Sequence, residues 1–424
     1  MIAGPYLARA GSVVGAALIA LALSGCGEKN GGDGGSGTGG TAGLGGTAGT
    51  AGATGGASSG SGGGSGTGAS GGMPAGAGGD AAGLGGLSGA GGMAGGGDGG
   101  MAGSAGMAGE ENLPPLNLSE TGLFTARGTG PGELVLGPGV REFEPRYWLW
   151  SDGVDKNRYV YLPPGMQIDT TDPDHWVFPL GTKLWKSFIS NGQLVETRLL
   201  ERFGAGENEF RYATYIWETA TATDATRMGY RNQRIDAAGT PHDIPNGQAC
   251  ERCHNTLKDH ALGFSALQLN HNMGGVTLQT LLDEGLLTTP VSTSIGIPGA
   301  DQATRDALGY LHANCGNCHN DSPGLPEASV PPPQMLLRVL VGDTTAEQTG
   351  AYRTAVNQRT TASPELQIEY RIRGGSSVER ESAMWFRMNQ RMIEDQMPPI
   401  ATELQDPTGL ATISSWIQSL PPPP

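Results

Sequence analysis

The chain has 424 residues, 73 of them glycine, and its 26 lysines and arginines are outnumbered by 41 aspartates and glutamates, for a formal net charge of -15 at pH 7. That sign argues against nucleic acid or an anionic lipid surface as a partner, since both would repel it. There are five cysteines, and once each is read from its surroundings none is left for a disulfide.

The amino terminus is expected to be an export leader. Arg9 supplies a thin positive region, residues 12–23 form an apolar run too short for a confident membrane span, and Leu23-Ser24-Gly25-Cys26 has the form of a lipobox. The resemblance to bacterial lipoproteins implies removal of residues 1–25 and acylation of Cys26. Gly27 follows where an aspartate would signal inner-membrane retention, so the expected location is the cell envelope, lipid-anchored at the outer membrane, on its periplasmic face or surface. Residues 26–112 are rich in Gly, Ala, Ser and Thr and contain no aromatic residue. Such a stretch cannot bury enough apolar surface to offset its ordering entropy and is expected to be a disordered tether. As a coil of about 85 residues it would span on the order of 50 Å.

Residues 113–240 are expected to form a β-rich domain. Arg158 to Leu162, His175 to Phe178, Lys183 to Phe188, Gln193 to Leu200 and Phe210 to Trp217 are short, aromatic and β-branched, and are separated by Gly, Pro, Asn and Asp. The spacing points to an antiparallel sandwich or barrel. Trp148, Trp150, Trp176, Trp185 and Trp217 are read as packing aromatics rather than a sugar platform. His175 and His242 are read as ordinary polar residues, although His242 lies close to the first cysteine motif.

From about Pro241 the pattern turns helical, with 241–300 as a first cofactor-binding region and 301–424 as a second domain. Val276, Leu278, Leu281, Leu282 and Leu286 share one helix face. Asp301 can cap a helix running into Cys315, and Asp406-Pro407 opens a terminal helix bearing Leu410, Ile413, Trp416, Ile417 and Leu420.

Two motifs organise this second half: Cys250-Glu-Arg-Cys253-His254 and Cys315-Gly-Asn-Cys318-His319. C-x-x-C-H is the pattern of covalent c-type haem attachment. Two thiols a helical turn apart can add across the two vinyl groups of one porphyrin, and the adjacent imidazole supplies the proximal ligand. A zinc ribbon would need both cysteine pairs together but not a histidine after each. A redox dithiol would follow a strand of a thioredoxin-like unit. Two covalently bound haems c are therefore expected, with His254 and His319 on the irons. Met397, ahead of Pro398-Pro399 and so biased to extended backbone, is the expected distal ligand of the second haem. Met384, Met388 and Met392 read as a core stripe. For the first haem the distal candidates are His271 or Met273, in the loop-like Leu269-Asn-His-Asn-Met-Gly274. His260 stands too close to His254 to reach the opposite face.

The stretch from about 143 to the end resembles a bacterial family of exported dihaem c-type cytochromes with a β-rich domain ahead of the haems. The resemblance is carried by Leu149-Trp-Ser-Asp-Gly153, Lys156-Asn-Arg-Tyr159, Trp176 to Lys183, Glu196-Thr-Arg-Leu-Leu200, Thr223-Asp-Ala225, Gln268-Leu-Asn270, Tyr310 to Cys315 and Met397-Pro-Pro399. Residues 301–420 are similar to a class I cytochrome c in the order of their parts. Together these imply a multidomain α+β chain, with a β-rich domain followed by mainly α-helical cytochrome c haem domains. The expected function is electron transfer with a redox partner protein. The alternatives are a dihaem peroxidase or oxidase with one open iron, for which His271 is the acid–base candidate, and a docking module for a periplasmic dehydrogenase.

Overall fold

The computed structural model describes residues 113–424, apart from 131, 207–208, 322–334, 361–366, 377–380 and 392–394. The expected leader, Cys26 and the whole of the glycine-rich segment lie outside the described residues, as does Met392. No helix among the described residues is long and apolar enough to cross a membrane.

Alternation of side chains along short β-branched and aromatic segments builds a six-stranded antiparallel meander. Its strands are β3 (Val140–Glu142), β4 (Asp155–Tyr161), β5 (Lys183–Ser190), β6 (Gln193–Arg202), β7 (Phe210–Ile216) and β8 (Thr226–Arg227), paired in sequence order. A separate ribbon pairs β1 (Phe124–Arg127) with β2 (Leu134–Leu136). On one face of the meander Tyr159, Trp185, Leu199, Ala213 and Tyr215 form a core with Phe124 and Leu134 of the ribbon.

The opposite face is organised in cross-strand rows. Val160, Leu184, Leu200 and Tyr212 form an apolar row. The first three join a second core with Phe143, Trp176, Phe178, Phe264, Leu278 and Leu281. Next to it runs Arg158, Lys186, Arg198 and Thr214, and beyond that Lys156, Phe188, Glu196 and Ile216.

Seven helices follow: α1 (Gly247–His254), α2 (Ala266–Leu269), α3 (Leu278–Asp283), α4 (Gln302–Asn314), α5 (Gly350–Thr354), α6 (Ala383–Met388) and α7 (Pro407–Ser419). In α4 the Asp301 Oδ1 accepts the Thr304 N–H at 2.8 Å. In α7 the Asp406 Oδ1 accepts the N–H groups of Thr408 and Gly409. Asp301→Ala should cost about 1 kcal/mol of stability, the usual worth of an N-cap, measurable as a shift in the chemical-denaturation midpoint. The two helices cross closely because residue 409 is glycine. A Cβ there would lie 2.3 Å from the Tyr310 ring. Ile413, Trp416 and Ile417 of α7 close a third core over Ala307, Leu308 and Leu311 of α4, with Met384 and Met388 buried in it.

Two expectations about the fold are corrected. The β-rich part is an open meander with a two-stranded ribbon against it, not a closed barrel or a sandwich of two matched sheets. The part after it is not a set of mainly α-helical cytochrome c domains. The described chain holds eight strands in two sheets and only about 23% helix. Several helices are only four to six residues long. The physical reason lies in the connections. Proline- and glycine-rich linkers interrupt the periodicity after one or two turns, and short helices gain stability only from tertiary packing. The described residues, from 113 on, belong to one compact unit. The 113–240 and 241–300 stretches share a core, and parallel bridges join Phe143 to Val276 and Ile168 to Leu287.

His175 to Phe178 does not form a strand. Val177 makes a single antiparallel bridge to Asp169 instead.

Candidate cofactor site

The α1 helix forms because Asn246 caps it, its side chain accepting the Ala249 N–H at 3.0 Å. It brings Cys250, Cys253 and His254 to the face of the sheet that carries the polar rows. The Tyr212 ring of β7 lies 5.1 Å from the His254 ring. His254 Nδ1 donates to the backbone carbonyl of His260 at 2.6 Å. That bond selects the tautomer with a free Nε2 lone pair, the arrangement of a ligating imidazole held by a carbonyl. Burial lowers the His254 pKa to about 3, so the ring is neutral at physiological pH.

His260 is the residue whose role the sequence did not disclose. It adopts a left-handed backbone, with φ at 55°. Its ring stacks on Phe210 at 4.4 Å and its Nδ1 meets the Tyr212 hydroxyl at 2.8 Å. Tyr212 in turn donates to Asn255 Oδ1 at 3.0 Å. His260 thereby positions the carbonyl that orients His254.

The second motif continues from α4. The His319 N–H donates to the Cys315 carbonyl at 2.8 Å, so the motif occupies one helical turn. Residue 316 must be small, because a Cβ there would lie 2.7 Å from the His312 carbonyl and 2.9 Å from the Arg338 Cα. Burial lowers the His319 pKa and the Met335 carbonyl partly offsets it, although Nδ1 has no partner at hydrogen-bond distance among the described residues. Arg387 also acts on His319, and the Met397 N–H donates to the Arg387 carbonyl at 3.0 Å. Met397 is half-buried beside this arginine.

The fold brings the two motifs together. The Cys253 and Cys318 thiols face each other within hydrogen-bonding reach. Thr256 Oγ1 donates to the Asn317 carbonyl at 2.5 Å, tying the segments together. Burial pushes the Cys315 thiol up to about 12, and Cys250 is raised for the same reason. All four cysteines are free. No three Cys, His, Asp or Glu groups converge on a metal position among the described residues, so the pairs do not form a four-thiolate zinc centre.

The residues present fit a covalently attached porphyrin at each motif. Cys250, Cys253, His254, Cys315, Cys318 and His319 feel a strongly desolvated interior, yet each keeps accessible surface. No residue of α1 is fully buried, although the helix lies against the sheet. The cysteines and histidines of the two motifs therefore line space that side chains do not fill.

The other sequence candidates fall elsewhere. His271 donates from Nε2 to the Glu144 carbonyl at 2.5 Å and accepts the Met273 N–H on Nδ1 at 3.1 Å, so both ring nitrogens are committed to backbone. Met273 is exposed. His242 is buried, its Nε2 2.7 Å from Glu196 Oε1 and its ring stacked on Phe188.

Compared with known protein families, curated proteins and solved structures, the chain matches none. The family resemblance gains no support there, and function has to be argued from the chain's own residues.

Several titratable groups surround the first motif. Burial first, then Arg158, Lys156 and Arg198, hold the Lys186 ammonium well below its usual pKa. Asp259 lies 3.7 Å from Arg338, and burial pushes its carboxyl up to about 6, against the pull of that arginine. Its proton is therefore held more tightly in the folded chain than in the unfolded one, where the reference value is 3.8. The resulting stabilisation is complete below the unfolded pKa and is lost as pH rises through the folded one. Unfolding free energy measured between about pH 4 and 6 should contain this falling component, and Asp259→Asn should remove it. An unchanged slope in the variant would show that Asp259 does not titrate there.

Proposed function

We propose that the protein is a dihaem c-type cytochrome of the cell envelope, lipid-anchored through Cys26, that passes single electrons between redox partner proteins. The observation that carries this reading is the meeting of the two C-x-x-C-H motifs, Cys253 against Cys318, in one compact unit. Haem held at the two motifs would supply an iron couple at each. Electron exchange between two centres needs them close and held rigidly, and the Thr256 to Asn317 bond joins their attachment segments directly.

The chain's residues then have distinct tasks. Cys250 and Cys253, and likewise Cys315 and Cys318, hold the porphyrins. His254 and His319 offer neutral imidazoles, His254 with Nε2 left free by the His260 carbonyl. Met397 is the proposed distal ligand at the second motif, beside the Arg387 segment that faces His319. A thioether opposite histidine raises the potential of a haem iron, so the second centre is the proposed electron-accepting end. The peroxidase alternative needs a distal acid–base residue, and His271 spends both ring nitrogens on backbone groups.

The test is the optical spectrum of the matured protein, ferric and ferrous, with and without CO, for the parent chain and Met397→Ala. The parent should be low-spin at the second centre and indifferent to CO there. Met397→Ala should lower that centre's potential and open it to CO. An unchanged titration would sink Met397 as ligand. Turnover of hydrogen peroxide with a reduced donor would move the enzyme reading ahead.

A further inference from the structure

Residues 148–153 lie in the connection from β3 to β4 and carry hydrogen bonds to two segments far away in the chain. The Trp150 backbone N–H donates to Asn314 Oδ1 at 2.7 Å, and Asn314 Nδ2 donates in return to the Trp148 carbonyl at 3.0 Å. Asn314 is buried and is the last residue before Cys315. The connection is thereby fixed to the start of the second motif.

The same connection reaches the segment that follows Met397. Asp152 Oδ1 accepts the N–H groups of Glu403 and Leu404 at 2.7 and 2.8 Å, and the Trp150 indole Nε1 donates to the Leu404 carbonyl at 3.0 Å. Both backbone polar groups of Leu404 are therefore held from one place. Thr402, itself buried, carries the constraint back towards the methionine, donating from Oγ1 to the Pro398 carbonyl at 3.3 Å. The Met397 N–H donates to the Arg387 carbonyl at 3.0 Å. The turn that bears Met397 is thus anchored at both ends.

The connection alone does not call for an aspartate at 152. The Asp152 backbone is left-handed, with φ at 52°, the residue is 8% exposed, and Oδ2 is buried without a partner among the described residues. A non-glycine residue in that region is strained, and a buried carboxylate with one orphaned oxygen adds a desolvation cost. Glycine would suit the backbone better. What glycine lacks is the acceptor for residues 403 and 404.

We propose that Asp152, assisted by Trp150, is a positioning residue for the distal ligand of the second centre. It holds the Met397 turn at a fixed offset from Asn314 and Cys315, so that the thioether is presented to the iron and resists displacement. The inference rests on the dihaem reading with Met397 as ligand, and it gives the β-rich region a task in that reading. A ligand borne on a turn binds with an apparent strength reduced by the fraction of time the turn is out of place. Holding the turn therefore strengthens the bond.

The test titrates the matured ferric holoprotein with imidazole and reads displacement of the thioether from the sulfur-to-iron charge-transfer band, with Met397→Ala identifying that band. Asp152→Gly suits the left-handed backbone and removes the acceptor, so imidazole should bind about tenfold more tightly, the equivalent of one or two lost hydrogen bonds. Asp152→Asn keeps Oδ1 and tolerates the same backbone, so it should restore the parent Kd. A parent-like Kd in Asp152→Gly overturns the proposal even where the denaturation midpoint falls, since that pattern marks a contact of stability alone. If Asp152→Gly does not mature, Trp150→Phe, which removes the donor to Leu404, decides in its place. Tighter imidazole binding there supports the assignment, and an unchanged Kd overturns it. A parent chain with covalent haem but no such band brings down Met397 as ligand, and with it this inference. A parent chain without covalent haem brings down the proposed function, and the two failures are read separately before any variant is made.

Discussion

On the proposed dihaem reading, replacing Cys250 and Cys253 together by serine is expected to leave one covalent haem of two, and replacing Cys315 and Cys318 together should do the same from the other side. The expectation follows from the role assigned to each pair. If each motif holds its own porphyrin, the losses are independent and halve the haem content. If the four sulfurs formed one shared centre, either double replacement would abolish it completely. The two outcomes differ although Cys253 and Cys318 adjoin, because adjacency alone does not make a common site. Serine is nearly isosteric with cysteine, and all four cysteines keep accessible surface, so the packing disturbance is small. Intact mass and haem iron per chain read the result. Retention of two covalent haems in either variant would remove the motif from its assigned role.

Trp416→Ala is the core substitution with the largest expected cost, roughly 3–5 kcal/mol by analogy with other buried aromatic truncations. Trp416 is 0% exposed and sits in α7 among the residues that pack on α4, the helix that leads into Cys315. Loosening that crossing should destabilise the second C-x-x-C-H motif as well as the core. The indole Nε1 has no hydrogen-bond partner among the described residues, so Trp416→Phe should cost clearly less, because it removes a buried, unsatisfied donor along with the lost contacts. Chemical denaturation at matched haem content measures both. Trp148, 53% exposed, provides the control. Should Trp416→Ala cost no more than Trp148→Ala, the α4 to α7 crossing does not carry the stability assigned to it.

Local signals were legible where a short segment determines its own geometry. The four long strands, Asp301 and Asp406 as helix caps and the reading of Met384 and Met388 as core side chains needed only nearest neighbours along the chain. The overreach came from turning a correct order of parts into a fold class. A helix before the motif and a helix at the end do exist, but between them the described residues form only the short α5 and α6, and the whole is continuous with the sheet. Short strands such as β1, β2 and β8 escaped because two to four residues carry too little periodicity.

The candidate site divides along the same line. The two C-x-x-C-H motifs are recognisable because their pattern is complete within five consecutive residues. His260 stands too near His254 in the chain to ligate the same iron, and its contribution is a carbonyl, which no side-chain pattern announces. His271 looked available until its two backbone bonds were visible.

What the sequence determined by itself is therefore whatever is local: the two C-x-x-C-H motifs, the caps and the four long strands. Only the tertiary structure decided that Cys253 meets Cys318 and that Arg158, Lys186 and Arg198 stand in one row under α1. Those juxtapositions depend on strand register and on which helix covers which face, and these are set by burial summed over the whole core rather than by any segment alone.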